Sequence, residues 1–245
     1  MQYNTSSLKD GILFLRMELR DKGSIVKTKR WQGQDCSLAF KELLHASLLV
    51  PMVNDIEECS SLCGATQPWA DDHFEERVGG IPFNPPPSHK HWLRNTDDYL
   101  SSDEAFSHSY PERLWGNTGK GIRFQNANLD KAVELLKKEP DTRQCYVPIW
   151  FPEDLNAACE GERVPCTFGW HFMKRDDKLH CSYHMRSCDV IRHLHNDLYF
   201  ANRLAIWLND KANLGCDMGM LHFSSTSLHC FENDLYTLRK ICADL

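Results

Sequence analysis

Apolar side chains recur at the spacing of an α-helix in several segments of the chain. The first segment covers residues 7–20 and ends before Gly23, with apolar positions at Leu8, Ile12, Leu15 and Leu19. The same period predicts helices over residues 38–50, 69–80, 128–139 and 198–215. Ser37 would cap the helix over residues 38–50, because serine is a preferred residue at helix starts.

Alternation of apolar and polar residues, the period of a β-strand, marks another set of segments. Two alternating runs flank the charged segment 174–178 and predict an antiparallel pair of strands. Their apolar positions are Phe168, Trp170 and Phe172 in the first run, and Leu179, Cys181, Tyr183 and Met185 in the second. Further strands are predicted over residues 24–29, 145–151 and 219–229. Helices and strands mix without regular alternation, which predicts an α+β fold.

The segment 81–108 is rich in proline, serine, asparagine and histidine. Phe83, Trp92 and Tyr99 lie within it and would anchor it, so we expect an ordered loop rather than a linker. The sequence contains no internal repeat, and 245 residues are enough to form one domain with a sizeable hydrophobic core. We therefore expect a single domain over residues 1–245.

Charge and composition exclude several classes of protein. A formal net charge of -6 gives no basic surface for nucleic acid. The apolar run near the N-terminus covers only residues 11–15, too few for a signal peptide or a membrane span, so we expect a cytoplasmic protein without membrane contact. The 11 cysteines form no regular framework and are expected to be free thiols in a reducing compartment.

Metal binding is the weaker interpretation of the cysteines and histidines. Cys59 and Cys63 are four residues apart, but no CxxC pair occurs and no second pair has the spacing of a zinc finger. We expect no metal.

Cys166, in the segment RVPCT, is the strongest candidate for a nucleophile. A reactive thiolate needs a cationic neighbour, and Arg163 is close in sequence. If the two alternating runs pair as predicted, Arg186 lies at the same open end of the pair as Cys166. In the alternative, Cys166 is one more packed thiol and Arg186 a surface ion-pair partner. The residues alone leave both possibilities open.

Several short motifs follow one another between Tyr110 and Phe231. They are DTRQCYVPIWFPEDL, VPCT, RSCD, a helix start that contains an aspartate, and HCF. In order and spacing they resemble the motif series of the thymidylate synthase superfamily, whereas the first hundred or so residues match it only loosely. The resemblance implies the thymidylate synthase fold, a mixed β-sheet covered by helices, in a homodimer.

The resemblance also implies a chemistry. In that family a cysteine after proline adds to C6 of a pyrimidine nucleoside monophosphate, and C5 then attacks the methylene group of 5,10-methylenetetrahydrofolate. Cys166 matches this cysteine. Arg186 and Ser187 match the residues that bind the nucleotide phosphate, and Arg143 matches an arginine that reaches the neighbouring site of the dimer.

Further roles follow from the same resemblance. Asp189 is expected to contact the base and the folate, and Tyr110 to help remove the C5 proton. Arg30 is expected to bind substrate as the arginine of the first strand, with Lys29 as the alternative. His229 is expected at the substrate and Trp92 at the folate.

A catalytic glutamate that organises water is expected on a helix before Trp92. We prefer Glu76, with Glu75 and Glu42 as alternatives. A solvated helical face explains each of these carboxylates equally well.

The residue eleven positions after Arg186 indicates the base. Thymidylate synthases have an asparagine there, whose amide donates to O4 and accepts from N3–H of uracil, whereas this chain has Asp197. A protonated carboxyl group would donate to N3 of cytosine and accept from its amino group. The phage-type deoxycytidylate hydroxymethylases carry aspartate at this place and threonine after the cysteine, as at Thr167. In the alternative, Asn196 reads the base and Asp197 caps a helix.

The reaction is expected to end with water rather than hydride. The sequence continues for only fourteen residues after Phe231, which leaves little for the lid that keeps thymidylate synthases dry. We therefore expect hydroxymethyl transfer to C5 of a cytidine monophosphate, dCMP or CMP. Methylation of dUMP to dTMP is the alternative.

Some positions depart from the family pattern. Gln144 replaces a second arginine, and Phe231 replaces a tyrosine that meets the sugar, so the choice between ribose and deoxyribose stays open. Arg192, His193 and His195 replace an apolar loop near the folate. These departures leave room for a catalytically idle relative that binds nucleotide or RNA.

Overall fold

The computed structural model describes residues 2–31, 34–91, 104–116 and 128–243. Within them a seven-stranded sheet has the order β1-β3-β7-β6-β5-β4, and β2 pairs with β3. The strands are β1 (Gln2–Asn4), β2 (Ser24–Trp31), β3 (Gln34–Pro51), β4 (Tyr146–Pro148), β5 (Thr167–Arg175), β6 (Lys178–Asp189) and β7 (Asp217–Phe231).

The sheet is mixed. β1 runs parallel to β3 and β6 parallel to β7, whereas the other neighbouring strands are antiparallel. The parallel pairing of β6 and β7 requires a crossover, and a long helix supplies it. The predicted α+β class is confirmed.

Helices pack on this sheet. They are α1 (Leu8–Lys22), α2 (Ile56–Cys63), α3 (Trp69–Val78), α4 (Tyr110–Trp115), α5 (Asn128–Lys138), α6 (Asp154–Cys159), α7 (Leu194–Ala212) and α8 (Leu235–Ile241). The crossover helix α7 contacts β6 and β7, and α1 contacts β3. The predicted apolar face of α1 is buried throughout, and Ser7 caps the helix by accepting from the amide of Asp10.

The predicted helix over residues 38–50 is wrong, because this segment is part of β3. Its leucines resemble a helical pattern, but β2 pairs with the first half of β3 and β7 with most of its length. The pairing on both edges outweighs local propensity. His45 lies within the strand at φ 58°, and after it Ala46, Leu48 and Val50 alternate as buried residues.

The predicted antiparallel pair is confirmed by β5 and β6. Asp176 and Asp177 form the turn between them with positive φ angles, and Thr167 lies opposite Met185. Phe168 departs from the predicted alternation and is 37% exposed, because the register shifts between residues 167 and 169. The segment before β5 and the end of β6 therefore meet at one end of the sheet.

The ends of the segment 81–108 are held together. The side-chain amide of Asn84 donates to the carbonyl of Phe106 and accepts from its amide, both at 2.9 Å. Ser109 and Glu112 then form a capping box at the start of α4. Trp92 and Tyr99 lie outside the described residues. Among the helices that the structure describes, none is long and apolar enough to span a membrane.

Candidate active site

A cavity of about 610 Å³ opens where β6 ends. The last residues of β6 form its floor, the segment before β5 forms one side, and residues of α3, α4 and α7 close the other. Most of the residues expected at the site border it: Cys166, Arg186, Ser187, Asp189, Asp197, Tyr110 and His229.

Cys166 is partly exposed in this cavity, unlike most of the described cysteines, which are buried. The hydroxyl group of Ser187 lies 3.5 Å from its sulfur and Nη2 of Arg186 lies 3.7 Å away. A cation and a hydroxyl donor stabilise a thiolate more than a thiol, so the surroundings suit a nucleophile.

Arg186 also fixes the segment that carries Cys166. Its Nε donates to the carbonyl of Pro165 at 2.8 Å, and its Nη2 to the carbonyl of Val164 at 2.9 Å. Two guanidinium nitrogens are thus engaged with the backbone. The third, Nη1, lies 3.5 Å from the hydroxyl of Ser187, where a phosphate oxygen would meet both groups.

A chain of hydroxyl groups runs behind the cysteine. The hydroxyl of Tyr110 lies 3.0 Å from Oγ1 of Thr167, which lies 2.9 Å from the hydroxyl of Tyr183. Burial raises the pKa of Tyr110 to about 12, and the neighbouring Cys166 adds to the shift. Tyr110 is therefore protonated and can donate or pass on a proton within the cavity.

Asp197 lies in the first turn of α7 and borders the cavity. The thiol of Cys188 donates to its Oδ2 at 3.7 Å. Burial raises the pKa of Asp197 to about 7, against the opposing effect of the Arg77 charge. A large fraction of this carboxyl group is therefore protonated near neutral pH.

The neighbouring Asn196 is engaged elsewhere. Its amide oxygen accepts from the backbone N–H of Thr66 at 2.9 Å, and its amide nitrogen donates to the hydroxyl of Thr66 at 3.2 Å. Both polar ends of Asn196 thus hold the loop between α2 and α3. Of the two candidates for reading the base, Asp197 has the side chain with fewer hydrogen bonds to the rest of the protein.

Asp189 is 3% exposed and borders the same cavity. Its Oδ1 accepts from the amides of Ile191 and Arg192, whereas its Oδ2 accepts no hydrogen bond from the described residues. Nε of Arg192 lies 3.5 Å from Oδ2, too far for a strong bond. Burial raises the pKa of Asp189 to about 6, so at neutral pH it is mainly a carboxylate.

A buried carboxylate oxygen without a hydrogen bond suits a group rich in N–H donors. The 2-amino-4-oxo pterin of a folate offers such an edge, so Asp189 fits 5,10-methylenetetrahydrofolate on chemical grounds. His229 lies next to Asp189 across the β6–β7 pair and is 6% exposed. Burial lowers the pKa of His229 to about 4, which leaves it neutral and able to meet a sugar hydroxyl.

The candidate glutamates do not border the cavity in the described part of the structure. Glu76 accepts from the amide and the hydroxyl of Ser88, both at 2.6 Å. Glu75 pairs with Arg203 at 2.8 Å, and Glu42 accepts from Ser227. Glu76 is thus hydrogen-bonded to a residue of the cavity wall, because Ser88 borders the cavity.

His73 and Arg77 of α3 border the cavity and were missed by the sequence analysis. Both are 8% exposed. The signal was present, because residues 69, 70, 73, 74, 77 and 78 form one helical face and all are buried.

Besides Glu76, three predicted residues lie outside the cavity or outside the described side chains. Arg143 is exposed just before β4 and does not border the cavity of its own chain. The side chain of Arg30, on β2, and all of Trp92 lie outside the described part of the structure. The described residues contain no cluster of three or more histidine, cysteine, aspartate or glutamate side chains that could hold a metal.

The family model described as thymidylate synthase matches residues 88–243, which is more than half of the chain. The chain belongs to the thymidylate synthase family. The solved structure of the thermostable thymidylate synthase A from Bacillus subtilis superposes with a TM-score of 0.70, over 98% of this chain and 84% of that chain. At 15% identity this likeness supports the fold alone, and the predicted thymidylate synthase fold is confirmed.

Curated relatives of the thymidylate synthase family match parts of the chain. The thymidylate synthase of Buchnera aphidicola subsp. Baizongia pistaciae is 26% identical over 46% of this chain and 40% of its own length. The thymidylate synthase of Listeria monocytogenes serotype 4a is 32% identical over 37% of this chain and 30% of its own length. A putative thymidylate synthase of Methanosarcina mazei is 27% identical over 47% of this chain and 52% of its own length. The chain thus spans about half, or less, of the length of these relatives.

Proposed function

We propose that this protein transfers a hydroxymethyl group to C5 of a cytidine monophosphate, dCMP or CMP, with 5,10-methylenetetrahydrofolate as the one-carbon donor. The observation that carries the proposal is the placement of Asp197, a carboxyl group with a pKa of about 7, in the same cavity as Cys166. Family membership supports the covalent chemistry, and Asp197 supports the choice of base.

Cys166 acts as the nucleophile. Its thiolate adds to C6 of the base, held in line by the bonds from Arg186 to the preceding carbonyls. Addition at C6 makes C5 nucleophilic. When bound, 5,10-methylenetetrahydrofolate supplies a one-carbon unit at the oxidation level of formaldehyde to C5. Asp189 would hold its pterin edge through the oxygen that accepts no other hydrogen bond.

Asp197 reads the base in its protonated form. Its O–H donates to N3 of cytosine, and its carbonyl oxygen accepts from the 4-amino group. The bond to N3 also stabilises the negative charge that spreads onto the ring after addition at C6. Uracil presents N3–H to the same O–H, and this mismatch would cost about 1–3 kcal/mol.

Tyr110 takes part in removing the C5 proton. Its hydroxyl is linked through Thr167 to Tyr183, so a proton can be passed along fixed hydroxyl groups. Thr167 occupies the position after the nucleophile, as it does in the cytidylate hydroxymethylases that the sequence resembles. The hydroxyl chain therefore agrees with a cytidylate substrate.

Water completes the reaction in this proposal. None of the described residues after Phe231 borders the cavity, and α8 packs instead against α1 and β7. In this proposal water adds to the exocyclic carbon on C5, and its addition yields a hydroxymethyl group rather than a methyl group.

The active form is proposed to be a homodimer. Arg143 is exposed and does not border the cavity of its own chain, and its carbonyl accepts from Nε2 of His171 at 3.0 Å. This bond fixes the backbone from which the guanidinium would reach the phosphate in a second protomer. Arg186 and Ser187 would supply the contacts within one chain.

Methylation of dUMP is the second candidate. The curated relatives bear the name thymidylate synthase, which favours it. Against it stands the aspartate at position 197, because its protonated carboxyl group presents an O–H donor to N3–H of uracil.

The test is the mass of the product. Purified protein is incubated with 5,10-methylenetetrahydrofolate and, separately, with dCMP, CMP, dUMP and UMP, and each nucleotide is then analysed by mass spectrometry. We expect a gain of CH₂O on dCMP or CMP. A gain of CH₂ on dUMP would overturn the proposal, and nucleotide binding in calorimetry without any product would indicate an idle relative.

A further inference from the structure

Arg77 is a buried cation without a carboxylate partner in the described part of the structure. Its guanidinium lies 4.3 Å from the ring centres of both Tyr110 and Phe200. Its Nε donates to no partner among the described residues, and the side chain borders the cavity. Two aromatic faces stabilise a cation but do not neutralise it, so the charge remains directed at whatever occupies the cavity.

A hydrogen-bonded chain orients this guanidinium. Nη2 of Arg77 lies 3.0 Å from Nε2 of His73, and an arginine can only donate, so His73 accepts at Nε2. Nδ1 of His73 then carries the proton and donates to the hydroxyl of Ser88 at 2.9 Å, which in turn donates to Glu76. Burial and the Arg77 charge lower the pKa of His73 to about 4, so the chain keeps this arrangement at neutral pH.

We propose that Arg77 selects the base by setting the protonation state of Asp197. This inference rests on the proposed function. Where Asp197 is protonated, the cavity offers the donor and acceptor that cytosine requires. Where Asp197 is ionised, the carboxylate accepts from N3–H, and the guanidinium of Arg77, which borders the same cavity, donates to O4, which is the pattern of uracil.

The two charges influence one another within the cavity. The positive charge of Arg77 opposes the effect of burial on Asp197 and so favours ionisation. The other titratable groups that act on Asp197 or respond to it are Cys188, Asp189, Tyr110 and Tyr183. The two tyrosines and Cys188 stay protonated near neutral pH because burial raises their pKa values. Arg77 is therefore the group whose removal most favours protonated Asp197.

The experiment measures the dissociation constants of dCMP and dUMP by calorimetry between about pH 6 and about pH 8.5. The phosphate titrates alike in both nucleotides and affects both constants equally, whereas Asp197 affects them in opposite directions. In the wild-type protein we expect the dissociation constant of dCMP to rise by up to about tenfold per pH unit above the midpoint of Asp197. In Arg77→Met we expect the same curve with its midpoint about one pH unit higher.

Two variants keep the test independent of folding defects. Arg77→Lys retains the charge and should keep the midpoint near that of the wild type. Arg203→Met removes another buried arginine, which lies 4.2 Å from the ring of Phe74 but is paired with Asp71 and Glu75 away from the cavity. Arg203→Met should leave the midpoint unchanged.

The outcomes separate this inference from the proposed function. If the wild type binds no cytidylate at any pH, the proposed function fails. If cytidylate binding depends on pH but Arg77→Met leaves the midpoint where it is, or Arg203→Met moves it equally, the role of Arg77 is wrong and the proposed function stands.

Discussion

The backbone amide of Arg186 donates to the carbonyl of Cys166 at 2.8 Å, so the two residues lie side by side where β5 and β6 begin to pair. The same arginine holds the carbonyls of Val164 and Pro165 with its side chain. One residue thus fixes the cysteine through both its backbone and its guanidinium. Its role in placing the nucleophile is separate from any contact with phosphate.

Arg186→Lys should reduce kcat/KM by about a hundredfold or more, because an ammonium group cannot bind two carbonyls and the phosphate in one fork geometry. The rate at which iodoacetamide alkylates Cys166 should fall as well, and this readout does not depend on substrate. Arg175→Lys is the matched control, since Arg175 also donates to a backbone carbonyl, that of Asp141, but lies at the far hairpin turn. Equal losses in the two variants would contradict the account.

Cys166→Ser should abolish the release of tritium from C5-labelled dCMP, by about a thousandfold or more, because a serine hydroxyl without an adjacent base is a poor nucleophile. The affinity for nucleotide should change by less than about tenfold. Cys159→Ser, at an exposed thiol, should leave tritium release unchanged. Persistent release in Cys166→Ser would assign the nucleophile elsewhere.

Asp197→Asn should stabilise the free protein at alkaline pH. The pKa of Asp197 is about 7 in the folded state, against about 3.9 in an unfolded chain. At pH values between these two pKa values, the Asp197 carboxyl group is protonated in the folded state and ionised in the unfolded chain. The unfolding free energy of the wild type therefore falls as the pH rises from the lower pKa to the higher one. Asparagine does not titrate and loses nothing.

Urea unfolding of both proteins at pH values of about 5 and about 8 measures this difference. From the lower to the higher pH, the unfolding free energy of Asp197→Asn relative to that of the wild type should increase by about 1–3 kcal/mol. The expected increase is kept small because the carboxyl group is partly exposed to the cavity. Other titrating groups are the same in both proteins and cancel. A difference that does not change with pH would place the pKa of Asp197 near its ordinary value.

Asp154→Ala should lower the unfolding free energy by about 3–5 kcal/mol, because it removes the carboxylate that pairs with the buried Arg113 charge. The two side chains form a bidentate pair at 2.7 Å and 2.9 Å, and both are about 95% buried. Since Arg113 lies on α4 with Tyr110, activity should fall too. Glu134→Gln, in an exposed pair with Lys131, should leave stability unchanged within error.

Periodicity predicted those elements whose burial pattern is regular. The apolar face of α1 and the β5–β6 hairpin follow their sequence periods, because each packs one continuous side against the core. The helix α7 is buried without a break from Leu198 to Ala205, which agrees with its strongly apolar sequence. Periodicity predicted the wrong element for the segment 38–50, because leucine occurs in helices and strands alike. The strand β7, which pairs with β3, also lies far away in sequence.

Site residues that belong to an ordered motif, such as Cys166 and Arg186, could be predicted from the sequence. Site residues that reach the cavity through the packing of a helix face were much harder to predict. Residue type led to Glu76, whereas the helical face of α3 places His73 and Arg77 at the cavity. The pKa of Asp197 depends on packing by α7 and β6 and on the charge of Arg77, none of which a linear sequence displays.

The most direct test of the account is the base preference of Asp197→Asn. The ratio of kcat/KM for dCMP and dUMP is measured for the wild type and the variant, with Asn209→Asp on the same helix α7, away from the cavity, as the control. We expect the wild type to prefer dCMP and Asp197→Asn to shift the ratio toward dUMP by about a hundredfold or more, because an amide presents the pattern that uracil requires. An unchanged ratio in Asp197→Asn would contradict the claim that a carboxyl group at this position reads the base.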